Sequence, residues 1–181
     1  DLIRHKPTNI SRRPIFFHFS TDEVYGDIES GEHFESDILN PSNPYSAAKA
    51  SADMLVLAWS RTYGIEYIIF RPTNNYGVGQ YPEKLIPLSV KQLMRGKKIR
   101  LHNNGTPIRN WLHASDTAEG VLSIIESGNV NEIYNIAGGF EQPNIETVKE
   151  IIKIFYSTDD WENYIDFSYS REGQDVRYAL N

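Results

Sequence analysis

Residues 15–20 read IFFHFS and residues 65–71 read IEYIIFR, and these two apolar runs decide the fold. Each run has the length and composition of a buried β-strand, and neither alternates between apolar and polar residues. Continuous apolar character is typical of strands in a parallel sheet that is covered on both faces. A helical pattern lies between the two runs. The order strand, helix, strand therefore predicts a right-handed crossover unit of an α/β fold.

The helix between the two strands has clear predicted ends. Asn43 is a candidate N-cap, because its side chain can accept a hydrogen bond from a free backbone N–H, and Pro44 suits the first helical position. Gly64 predicts the end of the helix. An apolar stripe at helical spacing predicts the face that packs on the sheet. The residues of this stripe are Ala48, Ala52, Leu55 and Trp59.

The rest of the chain predicts short strands and helices in a mixed order. Apolar periodicity, glycine and proline positions and candidate caps place their ends. The predicted elements are helices at 83–95, 116–127 and 145–156, the last capped by Asn144, and strands at 98–102, 111–115 and 132–136.

The predicted architecture is a Rossmann-like parallel sheet, of which this chain holds the C-terminal half, with a small α+β substrate-binding lobe. We assign residues 1–80 to the partial Rossmann-like catalytic part. Residues 81–181 would form mainly the lobe, with some segments returning to the sheet. A dinucleotide-binding sheet starts with a strand and a glycine-rich turn, and neither motif occurs in this chain. We therefore expect that the chain is a fragment of a longer protein and that this fragment alone binds a dinucleotide poorly.

Composition excludes several classes of function. The net charge of −6 argues against a nucleic-acid surface, because such binding depends on Lys and Arg placed against phosphates. The absence of cysteine excludes a disulfide framework, a thiolate nucleophile and a Cys-ligated metal. The apolar runs are far shorter than the roughly 20 residues of a membrane-spanning helix. These features predict a soluble, cytoplasmic protein.

Polar side chains with proton-handling capacity follow the first predicted strand. Thr21, Asp22 and Glu23 stand at its C-terminal end, where open α/β sheets bind their ligands. A hydroxyl and two carboxyls there can exchange protons with a substrate. The alternative is a polar turn in which Asp22 caps a backbone N–H.

Tyr45 and Lys49 form a second motif on the helix. Their spacing of four residues places them on one helix face. A lysine ammonium near a phenol stabilises the phenolate and lowers the phenol pKa, as a base that deprotonates a hydroxyl requires. Taken alone, this motif also describes an ordinary solvated helix face.

The two motifs together resemble the dTDP-glucose 4,6-dehydratases, which are NAD-dependent enzymes of the extended short-chain dehydrogenase type. Related epimerases and decarboxylases usually carry small hydroxyl residues where this chain has Asp22 and Glu23, so the acidic pair indicates dehydration. The resemblance covers nearly the whole chain. It continues through RPTNNYG at 71–77, YPEKLIP at 81–87, RNWLH at 109–113, YNI at 134–136 and REGQDVRY at 171–178.

The resemblance implies a role for each matching residue. Thr21, Asp22, Glu23, Tyr45 and Lys49 would be catalytic, and Tyr45, Lys49 and Asn75 would contact NAD. Tyr45 would deprotonate the sugar 4-hydroxyl, Glu23 would remove the C5 proton, and a protonated Asp22 would protonate the departing 6-hydroxyl. The expected substrate-binding residues are Thr21, Asn74, Lys84, Leu85, Arg100, His102, Arg109, Asn135, Arg171 and Gln174. The family also implies a homodimer.

Some positions depart from the family pattern and leave alternatives open. Residues 100–102 read RLH where the bacterial enzymes have a Pro-Ile-Tyr-like segment beside the base, and Glu172 and Gln174 replace the usual Pro and His. The base can therefore be thymine or uracil. Alternatives to the dTDP-glucose enzyme are a UDP-sugar 4,6-dehydratase or epimerase relative, or a non-catalytic fragment without the NAD-binding half.

The histidines do not predict a metal centre. His18, His33 and His102 are scattered along the chain and lack the spacing of a ligand set. We therefore predict no metal site.

Overall fold

The computed structural model describes residue 3, residues 14–170 and residues 175–181. Its helices and strands alternate along most of the chain. The strands are β1 (Phe16–Phe19), β2 (Tyr67–Pro72), β3 (Asn74–Tyr76), β4 (Ile99–Arg100), β5 (Ile108–His113), β6 (Glu132–Ile136), β7 (Glu141–Pro143) and β8 (Ile165–Asp166). The α-helices are α1 (Pro44–Tyr63), α2 (Leu85–Met94), α3 (Ala114–Ser127) and α4 (Asn144–Tyr156), and short 3₁₀ turns occupy Asp22–Tyr25, His102–Gly105 and Glu162–Tyr164.

A parallel sheet with the strand order β1-β2-β6 forms one part of the molecule. Phe16 lies opposite Tyr67, and Ile68 lies opposite Glu132. Helix α1 connects the parallel strands β1 and β2, so the prediction of an α/β fold is confirmed. A second sheet has the order β3-β5-β7, and β4 pairs with β8 in a third. In the part of the chain that the structure describes, no helix is long and apolar enough to cross a membrane.

Both predicted ends of α1 are confirmed. The Asn43 side-chain oxygen accepts a hydrogen bond from the Ser46 N–H at 3.0 Å, and the Ser46 hydroxyl oxygen accepts one from the Asn43 N–H at 3.2 Å. This reciprocal pair satisfies two donors that a helix N-terminus otherwise leaves unpaired. Gly64 ends the helix in the left-handed conformation, with φ 64°.

The predicted packing face of α1 is wrong. Leu55 is 60% exposed and Trp59 is 43% exposed, whereas the buried residues of the helix are Ser46, Ala50 and Asp53. A polar contact explains this orientation. Asp53 forms an ion pair with Arg71 of β2, and this contact sets the rotation of the helix about its axis. The apolar stripe is turned away from the sheet as a result.

The predicted start of α4 is also wrong. Asn144 is the first residue of the helix and Pro143 occupies the cap position, without a side-chain capping bond. The Asn144 backbone N–H instead donates to the Pro107 carbonyl at 2.9 Å. Strand β5 begins at Ile108, earlier than predicted, and ends where His113 caps α3.

A buried polar network joins β1, α1, β2 and the first 3₁₀ turn. Arg71 is 1% exposed, and its Nε donates to Asp53 Oδ2 at 3.0 Å. Its Nη1 donates to the Tyr25 hydroxyl oxygen at 2.7 Å. His18 Nε2 lies 3.0 Å from the other Asp53 oxygen. Asp53 is fully buried, so Arg71 is the counter-charge that offsets the loss of water around this carboxylate.

We expect Asp53→Asn to lower the free energy of unfolding by about 3–5 kcal/mol, because it leaves the buried Arg71 without its counter-charge. Urea denaturation at neutral pH measures this loss. The control is Asp159→Asn, which neutralises a carboxylate whose side chain is 86% exposed. Equal stability of the two variants would contradict the structural importance of the buried pair.

Candidate active site

A cavity of about 960 Å³ lies at the carboxyl ends of β1 and β2. Ser20 and Thr21 line it directly after β1, and Thr73 and Asn74 line it directly after β2. Parallel strands end at the same edge of a sheet, and this edge is where open α/β folds bind ligands. The volume suits a ligand of nucleotide size.

The cavity brings together most of the residues that the sequence singled out. The predicted residues that line it are Thr21, Asp22, Glu23, Tyr45, Asn74, Asn75, Lys84, Leu85, Arg100, His102 and Arg109. Two predicted residues, Lys49 and Asn135, are not among the lining residues. Arg171 and Gln174 lie outside the residues that the structure describes.

The turn that carries the two acidic residues is held by local contacts. The Thr21 hydroxyl accepts from the Glu23 N–H at 3.3 Å and donates to Asp22 Oδ1 at 3.0 Å. The turn closes at Gly26, which has φ 85°. A Cβ atom there would lie 2.3 Å from the Asn40 carbonyl oxygen, so only glycine fits.

The two carboxyl groups experience different surroundings. Burial raises the pKa of Asp22 to about 7; the Thr21 hydrogen bond opposes this shift and the neighbouring Glu23 adds to it. Burial also raises the pKa of Glu23, but Asn43 and Arg109 oppose that shift. Asp22 therefore retains its proton toward neutral pH, as a general acid requires.

Tyr45 differs from its predicted state. Burial, followed by the charges of Glu23 and Asp22, raises its pKa above the ordinary value. The Lys49 ammonium donates to the Phe19 carbonyl at 2.5 Å, and this contact holds it beside the end of β1. The lowering of the Tyr45 pKa that the helical spacing suggested is not observed. Tyr45 nevertheless lines the same cavity as Asp22 and Glu23.

One wall of the cavity, which we call the basic wall, contains Lys84, Arg100, His102 and Arg109. Arg109 Nη2 donates to the Asp175 carbonyl at 3.1 Å, and its guanidinium carbon lies 5.3 Å from the ring centre of Tyr178. The Arg100 guanidinium carbon lies 4.9 Å from the ring centre of Tyr169. His102 packs edge-on against the same ring at 6.0 Å.

The asparagines divide into two groups. Asn75 lines the cavity, and its side chain donates to the Thr73 carbonyl at 2.9 Å. Asn135 instead belongs to the buried network. It accepts from the Tyr25 hydroxyl at 2.9 Å and donates to the His33 carbonyl at 3.1 Å.

Several lining residues were missed from the sequence. Ser20, Gln92, Asn144 and Tyr169 all contribute to the wall. The sequence predicts Asn144 as a helix cap, whereas the structure places it at the first helical position and in the cavity wall. Ser20 carries the same signal as Thr21, because it directly follows a predicted parallel strand, whereas Gln92 and Tyr169 carry no local signal. Among the described residues, no group of three or more His, Asp or Glu side chains could hold a metal ion.

Comparisons with known proteins indicate the same family by a family model and by individual relatives. Residues 7–137 match the NAD dependent epimerase/dehydratase family. The dTDP-glucose 4,6-dehydratase of Streptomyces niveus is 42% identical over 166 residues, covering 92% of this chain and 48% of that enzyme. The dTDP-glucose 4,6-dehydratase of Escherichia coli is 40% identical over 184 residues, covering 92% of this chain and 51% of that enzyme.

A solved structure of a dTDP-glucose 4,6-dehydratase is also similar to this chain. DesIV, a dTDP-glucose 4,6-dehydratase of Streptomyces venezuelae with NAD and TYD bound, matches with a TM-score of 0.87 and 41% identity. The match covers 92% of this chain and 51% of that chain. The prediction of a Rossmann-like fold is thereby confirmed. The chain spans about half the length of these relatives.

The raised pKa of Asp22 predicts a pH-dependent stability. Between about pH 4 and about pH 7 the folded protein keeps this proton and the unfolded chain releases it. The contribution of Asp22 to stability therefore falls as pH rises through this window and is lost above about pH 7. Asp22→Asn removes this dependence, so we expect the wild type to lose stability relative to the variant as pH rises. Urea unfolding across the pH range measures the difference, and parallel curves would contradict the assignment.

Proposed function

This chain belongs to the NAD dependent epimerase/dehydratase family, and from that premise we propose that it acts in the 4,6-dehydration of dTDP-glucose. The product would be dTDP-4-keto-6-deoxyglucose. The observation that supports this proposal is the pair of neighbouring carboxyls, the buried Asp22 and the half-buried Glu23, which share one cavity with Tyr45. Water elimination needs both an acid and a base, and this pair supplies two carboxyls with different surroundings.

The first proton in the proposed reaction belongs to the sugar 4-hydroxyl. Tyr45 would accept it as the phenolate, which requires the positive charges of Lys49 and of bound NAD to lower a phenol pKa that burial and the two carboxylates raise. The Thr21 hydroxyl would hydrogen-bond the same oxygen. NAD would supply the transient oxidation at C4 and the return of the hydride at C6. Tyr45, Lys49 and Asn75 are proposed to hold it. Lys49 suits this role because only one of its three N–H groups is used by the Phe19 carbonyl.

The elimination step would use the two acidic side chains. The 4-ketone acidifies the C5 proton, which the Glu23 carboxylate would remove. Asp22, with its pKa of about 7, would give its proton to the departing 6-hydroxyl. Water leaves, C5 and C6 become joined by a double bond, and this bond is reduced at C6 by hydride and at C5 by a proton.

The basic wall would bind the rest of the substrate. Arg109 and Lys84 both line the cavity, and their positive charges suit a diphosphate. Leu85, Arg100 and His102 would contact the nucleoside. We include Asn74, Asn135, Arg171 and Gln174 in the proposed substrate set on the resemblance alone. The division into a catalytic part at 1–80 and a mainly substrate-binding lobe at 81–181 is part of the same proposal.

We further propose that the protein works in the cytoplasm as a homodimer. The support for pairing is the outer face of α1, where Leu55 and Trp59 are 60% and 43% exposed. An apolar face of this kind on a helix commonly marks an interaction surface.

Glu23→Gln separates the two halves of the proposed reaction. Oxidation at C4 should survive, because Tyr45 is intact, whereas product formation should fall about 10²–10⁴-fold without the base. Reduced-cofactor absorbance measures the first step. Incorporation of solvent deuterium at C5 measures the second and should be lost.

The control is Glu29→Gln, which makes the same change on an exposed loop residue. Undiminished elimination by Glu23→Gln would refute the role of Glu23. The wild-type protein is assayed in parallel with dTDP-glucose and UDP-glucose. A clear preference for UDP-glucose would contradict the proposed base.

Leu55→Asp tests the proposed pairing. A charge in the centre of the interface is expected to shift the protein from dimer to monomer in light scattering, because it cannot be desolvated there without a partner. Leu122→Asp is the matched control, since Leu122 is 57% exposed on α3. A wild-type protein that is monomeric would contradict the proposal.

A further inference from the structure

Asp175 is a buried carboxylate that is not among the side chains lining the cavity. It is 7% exposed. Its Oδ1 accepts from the Ser42 hydroxyl, and its Oδ2 accepts from the Tyr178 hydroxyl and, at 3.0 Å, from Asn43 Nδ2. Three donors from two distant parts of the chain therefore converge on one side chain. Such convergence stabilises a buried negative charge.

The contact with Asn43 connects Asp175 to the beginning of α1. The opposite end of the same amide group accepts from the Ser46 N–H at 3.0 Å and caps the helix. Tyr45 is the second residue of that helix. The orientation of the Asn43 amide, which Asp175 holds, thus determines where the first turn of α1 starts. The Asp175 charge also lies near the helix N-terminus, where a negative charge is favourable.

The main chain of the same residue contacts the basic wall. Arg109 Nη2 donates to the Asp175 carbonyl at 3.1 Å, and Arg109 Nη1 lies 3.5 Å from the Val176 carbonyl oxygen. The Ile108 N–H donates to the Val176 carbonyl at 2.7 Å. The guanidinium also lies over the Tyr178 ring. Residues 175–178 therefore contact both Arg109 and the start of α1.

We propose that Asp175 is a positioning residue that holds the first turn of α1, and with it Tyr45, in a defined place relative to Arg109. The inference rests on the proposed function, in which Tyr45 is the base and Arg109 binds the diphosphate. Substrate bound through Arg109 would then meet Tyr45 at reacting distance. Asp175 acts through Asn43 and does not touch the substrate.

The side chain and the main chain of Asp175 have separable roles, and this separation gives the test. Asp175→Asn keeps the carbonyl that accepts from Arg109, but it replaces one acceptor oxygen with an NH₂ group facing other donors. The start of α1 should loosen while the arginine stays in place. Thymidine diphosphate binding should therefore be retained although turnover is slowed.

The experiment uses the whole protein loaded with NAD. For Asp175→Asn we expect kcat with dTDP-glucose to fall about 10- to 100-fold, the cost of misplacing a reacting group by about 1 Å. The dissociation constant for thymidine diphosphate, measured by calorimetry, should change by less than about threefold, which corresponds to under 1 kcal/mol. Hydrogen exchange at the Ser46 and Ala47 amides should accelerate, because both donate to Asn43.

Ser42→Ala and Tyr178→Phe each remove a single donor to Asp175 and should show smaller changes in the same direction. If Asp175→Asn does not fold, these two variants test the same positioning contact. Asp159→Asn, at an exposed carboxylate, is the charge-matched control and should leave all three measurements unchanged.

Two results would overturn the inference. The first is that the variants of Asp175, Ser42 and Tyr178 keep the kcat of the wild type and its rate of hydrogen exchange at the Ser46 and Ala47 amides. The other is a loss of thymidine diphosphate affinity in proportion to the loss of turnover, which would place Asp175 in substrate binding. If the wild-type protein does not dehydrate dTDP-glucose but Asp175→Asn still accelerates exchange at Ser46 and Ala47, the proposed function fails and the positioning contact stands.

Discussion

The buried ion pair between Arg71 and Asp53 is the contact on which the site depends. Taking both charges out of water costs several kcal/mol per ion, so the pair is tolerable only with further hydrogen bonds. The Tyr25 hydroxyl oxygen accepts one from Arg71 Nη1 at 2.7 Å. Because Tyr25 ends the turn that carries Asp22 and Glu23, the same contact ties the acidic turn, helix α1 and strand β2 together. A rotation of α1 would break this pair.

The pKa values of Asp22 and Glu23 depend on how deeply each carboxyl is buried and on which charges lie near it. Asp22 is 2% exposed and has no cation in direct contact among the residues described, so loss of water dominates its pKa. Glu23 is less buried and faces the Asn43 amide and the Arg109 guanidinium. Two neighbouring carboxyls therefore acquire different proton affinities without any special residue type. The resemblance supplies the roles in the proposed reaction, and the burial of Asp22 suits it to be the acid, whereas Asn43 and Arg109 favour the charged form of Glu23 that a base requires.

Elements whose ends depend on short-range chemistry were predicted well. The N-cap at Asn43 and the C-terminal glycine at Gly64 act within one helical turn, so the sequence alone places both ends of α1. The buried strand at Tyr67–Pro72 was evident from its uninterrupted apolar character. The exposed position of Leu55 and the cavity position of Asn144 were not predictable in this way. Each depends on a partner far along the chain that overrides local pattern.

The sequence by itself determined the fold class, the order of the elements and the types of side chain available for proton transfer. These properties depend on neighbours within a few residues, and the spacing of Tyr45 from the acidic turn carried the resemblance to one family. Only the tertiary structure decided that Lys49 contacts the Phe19 carbonyl and that burial raises the pKa of Asp22 enough for the expected proton to be kept toward neutral pH. Burial and electrostatic interaction arise from groups distant in sequence and adjacent in space, so no local pattern encodes them.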